Sequence, residues 1–457
     1  MTGLKTGKTP WDADLPHIGQ SAADRYHPRV ARVSDRVFLI GSVAVALHIL
    51  DDAFISTAPG TSASDHLASA ALPFATIVAA IIAWPWMTAA WRAVAALLLG
   101  LFAGGVVLLT EGERITSGGI TGSDVTALLA LAGAATLLAL GAILTHRAIE
   151  RPVRRNLGWA ARRLLVVAAA YITLSYLFIP VLTAAHATHP KQAPVAVVDL
   201  GVAYESVSFA TRDGLTLSGW FIPSRNGATI LALPGANNDR TNVANHAAML
   251  ARHGYGVLLF DPRGMGESEG DPNQFGWQTS VDIRAALDYL ATRPDVDTNR
   301  VGALGLSMGA EAVLQATAEN RAIRAVVAEG AGARSLDEAL LAPGNDKWLD
   351  LPKTWLSYAL TRLASGDRPP PSLDQLTPRI APRPLLIIYA TTSAQAAEAQ
   401  LSPRYFDAAG EPKEIWPIDD AGHTQGLATH PAEYEARVIR FFDAALTSER
   451  SAEARPQ

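Results

Sequence analysis

Gly305-Leu306-Ser307-Met308-Gly309 follows a short apolar run, 301–306, and precedes a helix-forming stretch, 310–318. A strand, a tight turn and a helix, with glycine on both sides of a serine, is the pattern of a nucleophile elbow. The glycines remove Cβ atoms from a cramped turn, and the serine hydroxyl then stands exposed above a sheet edge at a helix N-terminus. Ser307 is the candidate nucleophile. A five-residue match also arises by chance in a chain with 36 glycines, so its surroundings must supply the specificity.

At 457 residues the chain has room for two or three domains. Its composition is lopsided: 49% hydrophobic and 18% charged overall, with the apolar residues concentrated before Ala185. A net charge of -5 without a long Lys/Arg run excludes nucleic acid as an electrostatic partner. The absence of cysteine excludes disulfides, thiolate nucleophiles and zinc-thiolate sites, and it does not locate the compartment.

Five apolar segments approach the ~20 residues that a membrane span needs: 37–55, 67–84, 93–110, 125–145 and 164–185. Trp84, Trp86 and Trp91 cluster in the break between the second and third, where indoles sit at headgroup level, so that break reads as a tight helical hairpin. Basic residues crowd two regions, Lys5 to Arg36 and Arg147 to Arg163, and the positive-inside rule puts both in the cytoplasm. Four crossings separate them, and the fifth carries the chain out. The expected organisation is a polar cytoplasmic segment 1–36, a five-span region 37–185, a linker 186–200, an extracytoplasmic domain 201–447 and a tail 448–457. Ala185-His186-Ala187 matches a small-x-small cleavage pattern, which raises release of that domain as an alternative. His48, Asp51 and Asp52 are read as outer-boundary residues rather than an ion path.

After the linker, β-type runs alternate with helical ones, as in an α/β protein with a doubly wound, mostly parallel sheet. Runs 206–211 and 215–222 flank Asp213-Gly214, a hairpin signal. Further strands are expected at 229–233, 256–260, 301–306, 325–329, 384–389 and 413–418, and helices at 241–253, 277–292, 308–320 and 433–447.

In this order the segments resemble the α/β-hydrolase fold, specifically membrane-linked serine hydrolases that open with a "DGL-x-L-x-GW-[FY]-x-P" hairpin, here Asp213-Gly214-Leu215 through Gly219-Trp220-Phe221-Ile222-Pro223. Leu233-Pro234-Gly235-Ala236 resembles that family's oxyanion turn, with Pro234 in place of the usual histidine, and Asp261 to Ser268 resembles its "D-x-RG-x-G-x-S" segment. The resemblance covers about 204–445 and implies that the amides of Met308 and Ala236 stabilise the oxyanion. It also treats Asp261 and Arg263 as scaffold. Asn237, Asn238, Asp239 and Arg240 are left open between substrate contact and turn formation.

A serine hydroxyl needs a base to become nucleophilic, and imidazole serves best near neutral pH. His423, in Ala421-Gly422-His423 after the last expected strand, where the resemblance places the catalytic histidine, is the expected base, whereas His246 and His253 are read as structural. The resemblance implies an aspartate soon after strand 384–389, but the chain reads Ala390-Thr391-Thr392-Ser393-Ala394-Gln395. Glu398 is the acid expected to orient the imidazole, with Glu329 as the alternative, and Asp419 and Asp420 are read as loop-capping.

An insertion at 330–375 carries Trp348, Trp355 and Tyr358 where this fold often bears a lid, and Pro369-Pro370-Pro371 stiffens its return. A lid near a bilayer suits a small-molecule or lipid acyl substrate. No metal or organic cofactor is expected, because the sequence displays no histidine-carboxylate cluster and no phosphate-binding glycine loop. The expected function is a membrane-anchored serine hydrolase cleaving ester or thioester bonds through an acyl-serine. A peptidase of related fold and a non-catalytic membrane sensor or scaffold are the alternatives.

Overall fold

The computed structural model describes residues 28–56, 59–61, 66–117, 124–149, 164–165, 168–169, 171–189, 191–342, 347–393 and 397–447. The expected N-terminal segment up to residue 27, most of the Arg147 to Arg163 cluster and the tail lie outside the described residues.

The apolar half forms helices α1 (Pro28–Phe54), α2 (Leu67–Ala83), α3 (Ala89–Ser117), α4 (Asp124–Ile149) and α5 (Ile179–Thr188). A π-helical turn, Leu174–Phe178, feeds into α5. Four helical stretches are long and apolar enough to cross a membrane: Arg32–Phe54, Ala89–Glu111, Asp124–Arg147 and Tyr171–Thr188. The second expected span is a shorter apolar helix of 17 residues, ended by the turn Trp84–Trp86. Small residues let α1 and α4 approach closely: a Cβ on Gly133 would sit 2.7 Å from the carbonyl oxygen of Gly41. Trp84 stacks on Phe38 at 3.7 Å and donates its indole NH to Asp35 at 2.8 Å.

The second half is built on eight strands: β1 (Glu205–Ala210), β2 (Thr216–Ile222), β3 (Thr229–Leu233), β4 (Gly256–Phe260), β5 (Val301–Leu306), β6 (Ile323–Glu329), β7 (Leu385–Ala390) and β8 (Lys413–Ile418). Their spatial order is β8-β7-β6-β5-β3-β4-β2-β1. β1 pairs antiparallel with β2, β2 pairs antiparallel with β4, and every other neighbouring pair is parallel. The two-stranded start follows from Asp213-Gly214, where Gly214 takes φ +93° in the hairpin turn. Strands β3, β4 and β5 are buried along their whole length, which is why they read as unbroken apolar runs rather than alternating ones.

Helices α6 (Ala244–Arg252), α7 (Thr279–Thr292), α8 (Met308–Glu319), α11 (Glu398–Ala408) and α12 (Pro431–Leu446) cover the sheet, and α9 (Leu336–Leu341) and α10 (Lys347–Ser365) stand off it. One apolar cluster lies on the face carrying α6 and α12, and a second on the face carrying α7 and α8. The result is an α/β-hydrolase sheet in which β3 and β5 are neighbours. Their C-terminal ends therefore open into one crevice at a topological switch point. The 330–375 insertion consists mainly of α9 and α10, and α10 packs along α5.

Candidate active site

Ser307 ends β5 and caps α8 with φ 53° and ψ −119°, a backbone conformation costly for a side chain and found where function demands it. The turn closes because Gly305 and Gly309 lack side chains. A Cβ on Gly305 would sit 2.2 Å from the oxygen of Gly309, and one on Gly309 would sit 2.5 Å from that of Pro234. The Ser307 amide donates to the Glu329 carbonyl at 2.8 Å, so the elbow is tied to the neighbouring strand.

The Ser307 hydroxyl lies 2.8 Å from His423 Nε2, and His423 Nδ1 lies 2.8 Å from Glu398 Oε2. Glu398 is fully buried as the first residue of α11, where a helix N-terminus favours negative charge. α11 is strapped to the turn after β6: Ser402 Oγ donates to the Ala331 carbonyl at 2.9 Å and Tyr405 Oη to that of Gly332 at 2.8 Å. Glu329 does not reach the imidazole. Its Oε1 accepts from the Gly426 amide at 2.8 Å, and its Oε2 accepts from the Tyr434 hydroxyl at 2.7 Å. Burial, reinforced by Glu329, pushes the Tyr434 phenol well above its usual range, so it remains a donor. Glu329 thus holds the loop that presents His423.

His246, His253, Asp419 and Asp420 make contacts away from the relay. His246 is buried and packs edge-on against Tyr434 at 5.4 Å, and His253 pairs with Glu435 at 2.7 Å. Asp419 accepts from Thr391 Oγ1 at 2.8 Å, and Asp420 pairs with His430 at 2.6 Å. The oxyanion turn is built similarly. Gly235 donates to Asn242 Oδ1 at 3.1 Å, Asn238 donates to the Ala236 carbonyl at 2.7 Å, and Asp239 caps Thr241 at 2.8 Å. Asp261 accepts from the Arg240 amide at 2.7 Å, the Arg240 guanidinium at 2.5 Å and the Glu267 amide at 2.9 Å. Desolvation pushes the Asp261 carboxyl up to about 6 against the opposing pull of Arg240. Arg263 is held by Asp282 at 2.7 Å and Asp213 at 2.9 Å. Asn237 differs: it lines the cleft beside Met308, and its buried Oδ1 has no hydrogen-bond partner among the described residues. Met308, as the first residue of α8, has an amide that no intrahelical carbonyl satisfies.

Residues 185–428 match the X-Pro dipeptidyl-peptidase (S15) family. The chain belongs to this family. Among curated relatives, the uncharacterized protein YfhR of Salmonella typhimurium is 31% identical over 262 residues, spanning 53% of this chain and 83% of its own length. An uncharacterized protein of Mycobacterium tuberculosis is 32% identical over 226 residues, covering 48% of this chain and 73% of that protein. Among solved structures, an esterase of Pyrococcus furiosus is 23% identical with a TM-score of 0.45, covering 56% of this chain and 99% of that one. The S15 family and the α/β-hydrolase sheet together make the protein a hydrolase.

Beneath the elbow of this S15 hydrolase lies a buried polar cluster. Glu311 Oε1 accepts from the Gly332 amide at 3.0 Å. Desolvation, reinforced by Glu338, pushes its carboxyl up to about 7. Glu338 accepts from the Arg334 amide at 2.8 Å and the Leu373 amide at 2.8 Å, fixing the start of the insertion.

The sequence displays no histidine-carboxylate cluster, yet the fold gathers Asp52, Glu111 and His189 so that their ligand atoms lie within 4.8 Å of one another. Glu111 and His189 pair at 3.2 Å. The three come from α1, α3 and the segment after α5, a convergence that linear spacing does not reveal. Of His48, Asp51 and Asp52, Asp51 Oδ2 accepts from Thr126 Oγ1 at 2.6 Å. The Ala185-His186-Ala187 pattern lies within α5 with Ala187 buried, and a helical, buried segment offers no extended backbone to a peptidase.

Proposed function

We propose that this chain is a membrane-anchored serine hydrolase that cleaves ester or thioester bonds, with its hydrolase domain on the extracytoplasmic side. The observation that carries the reading is the relay of two 2.8 Å contacts from Ser307 through His423 to Glu398. His423 Nε2 takes the proton of the Ser307 hydroxyl as Oγ attacks the acyl carbon, and Nδ1–H donates to Glu398, fixing the tautomer. The oxyanion is stabilised by the amides of Met308 and Ala236. His423 then hands the proton to the leaving alcohol or thiol. Water, deprotonated by the same imidazole, releases the acyl group and restores Ser307.

The family description favours a second reading, a peptidase that removes N-terminal dipeptides. Recognition of a free N-terminal ammonium calls for a carboxylate in the cleft. Among the described residues, the small cavity beside Met308 is lined by Asn237, Asn273, Gln278 and Arg263 and by no carboxylate, but neither Ser307 nor His423 lines it, so the choice between ester and peptide falls to a comparison of substrates. A fluorophosphonate probe is expected to label the wild-type protein and not Ser307→Ala, and acyl esters are expected to turn over faster than X-Pro anilides. Equal labelling of folded Ser307→Ala would end the serine-hydrolase reading, and faster anilide turnover would replace esterase by peptidase.

A further inference from the structure

Helix α10 has one apolar side and an opposite, largely polar side that packs on the hydrolase domain. At 100° per residue, Leu349, Pro352, Trp355, Leu356, Ala359 and Leu363 fall within an arc of roughly 120°. Leu349, Trp355 and Leu363 are 64%, 56% and 52% exposed. The opposite side holds Tyr358 and Thr361, both buried. Tyr358 meets Phe275 edge-on at 4.7 Å and lies 6.2 Å from Trp277. Between those two aromatics, Gly276 packs on Met308, whose Cγ would lie 3.0 Å from an added Cβ. One side of the helix therefore covers the segment against the elbow, while the other leaves a wholly apolar arc open.

The position of α10 says what covers that arc. It packs along α5, against the turn Leu174–Phe178 and against α2. These belong to the apolar helices of the N-terminal half, and Tyr171–Thr188 is long and apolar enough to cross a membrane. Phe178 lies about 15 Å before the end of α5 at Thr188, taking 1.5 Å per residue. A helix beside it is therefore at hydrocarbon depth if that stretch spans a bilayer. The flanking surface is continuous and apolar, with Tyr171, Ile172, Leu174 and Leu177 exposed. Asp350 is paired with Lys353 at 2.8 Å, and Arg362, exposed at the other edge of the arc, has a stem long enough to carry its guanidinium toward the headgroups. An amphipathic helix with its apolar side open beside spanning helices is the arrangement of an interfacial helix.

We infer that α10 is a lid bedded in the leaflet nearest the hydrolase domain, and that the substrate is an acyl ester of a membrane lipid that reaches Ser307 from the bilayer. The inference rests on the serine-hydrolase reading of the same site for its chemistry, but not for the position of the lid. The ester bond breaks as the Ser307 acyl bond forms, the lipid alcohol leaves with the proton from His423, and water then releases the fatty acid.

Because the chain contains no cysteine, a single introduced thiol reports one position. Leu363→Cys, labelled with an environment-sensitive fluorophore in the full chain reconstituted in phosphatidylcholine vesicles, is expected to be quenched by doxyl-labelled lipid and shielded from iodide. The same label at Ala436→Cys on α12 serves as the aqueous control. Iodide quenching at 363 equal to that at 436, without doxyl quenching, overturns the bedded lid and points instead to a second copy or a soluble partner. Leu363→Glu is expected to slow hydrolysis of a vesicle-embedded long-chain ester at least tenfold while leaving a soluble butyrate ester unchanged. Unchanged hydrolysis of the embedded ester overturns the lipid substrate. If the wild-type chain cleaves neither ester, the serine-hydrolase reading fails and with it the lipid substrate, whereas the fluorescence result still decides where the lid lies.

Discussion

His423 Nδ1 and Glu398 Oε2 lie 2.8 Å apart, although the carboxylate sits at the start of a helix rather than in the turn directly after β7. The extra distance along the chain is compensated by the straps from Ser402 and Tyr405, which draw α11 towards the turn after β6. Glutamate, one methylene longer than aspartate, completes the reach. Its second oxygen, Oε1, is buried without a partner among the described residues, so the imidazole is the principal group answering this carboxylate.

Replacing that carboxylate by an amide keeps its shape and removes its charge. Glu398→Gln is expected to lower kcat by roughly 10² to 10⁴, because the imidazole loses both its tautomeric control and the stabilisation of its cation. The melting temperature should change little, since the amide fills the same space. Steady-state kinetics on a soluble ester and a thermal melt check both parts. A kcat within twofold of wild type would remove Glu398 from the relay.

Glu329 should behave in the opposite way. Its two oxygens hold Gly426 and Tyr434, so Glu329→Gln leaves one buried donor poorly matched, a loss of about 1–3 kcal/mol. Thermal denaturation is expected to show a melting temperature lower by several degrees, while kcat at a temperature where the variant is folded stays within about tenfold. A loss of kcat equal to that of Glu398→Gln would make Glu329 the orienting acid.

Gly330 occupies the space where the relay crosses. It takes φ +76°, and an added Cβ would meet Glu398 Oε2 at 2.8 Å and His423 Cε1 at 3.0 Å. Gly330→Ala is therefore both strained and intrusive, and it is expected to reduce kcat more than tenfold. Restriction of the loss to KM, with kcat intact, would contradict this geometry.

Stability should depend on pH through Glu311. Its carboxyl has an ordinary value of 4.5 and is pushed up to about 7 in the folded protein, by desolvation above all. The folded state keeps this proton longer than the unfolded one. The corresponding stability is complete below pH 4.5 and is lost as the pH rises through 7. Glu311→Gln retains an acceptor for Gly332 and cannot ionise, so its melting temperature relative to wild type should rise between pH 5 and pH 8. A constant difference across that range would refute the assignment.

Much of the molecule was legible in its sequence because the signals are local. Gly305 and Gly309 mark a turn that tolerates no side chain, Asp213-Gly214 marks a hairpin, and the buried runs of β3 to β5 mark parallel strands. Four of the five expected apolar segments are, among the described residues, long and apolar enough to cross a membrane, and α2 is shorter. Asp261 and Arg263, charged residues in a glycine-rich segment, were legible as scaffold through the resemblance, and their pairing with Arg240 and Asp282 accords with that.

What the sequence by itself determined is thus the sheet, the elbow and the presence of a histidine after the last strand, each carried by residues within a few positions of one another. Only the tertiary structure decided which glutamate faces His423, since Glu398 approaches the loop from the start of a helix and Glu329 from the end of a strand, and a few ångströms separate orienting the imidazole from anchoring its loop. It alone joined Asp52, Glu111 and His189, and it alone set the open face of α10 beside α5. Contacts between separate elements, such as Glu398 and His423 25 positions apart, depend on how packed elements meet, and no local pattern encodes that.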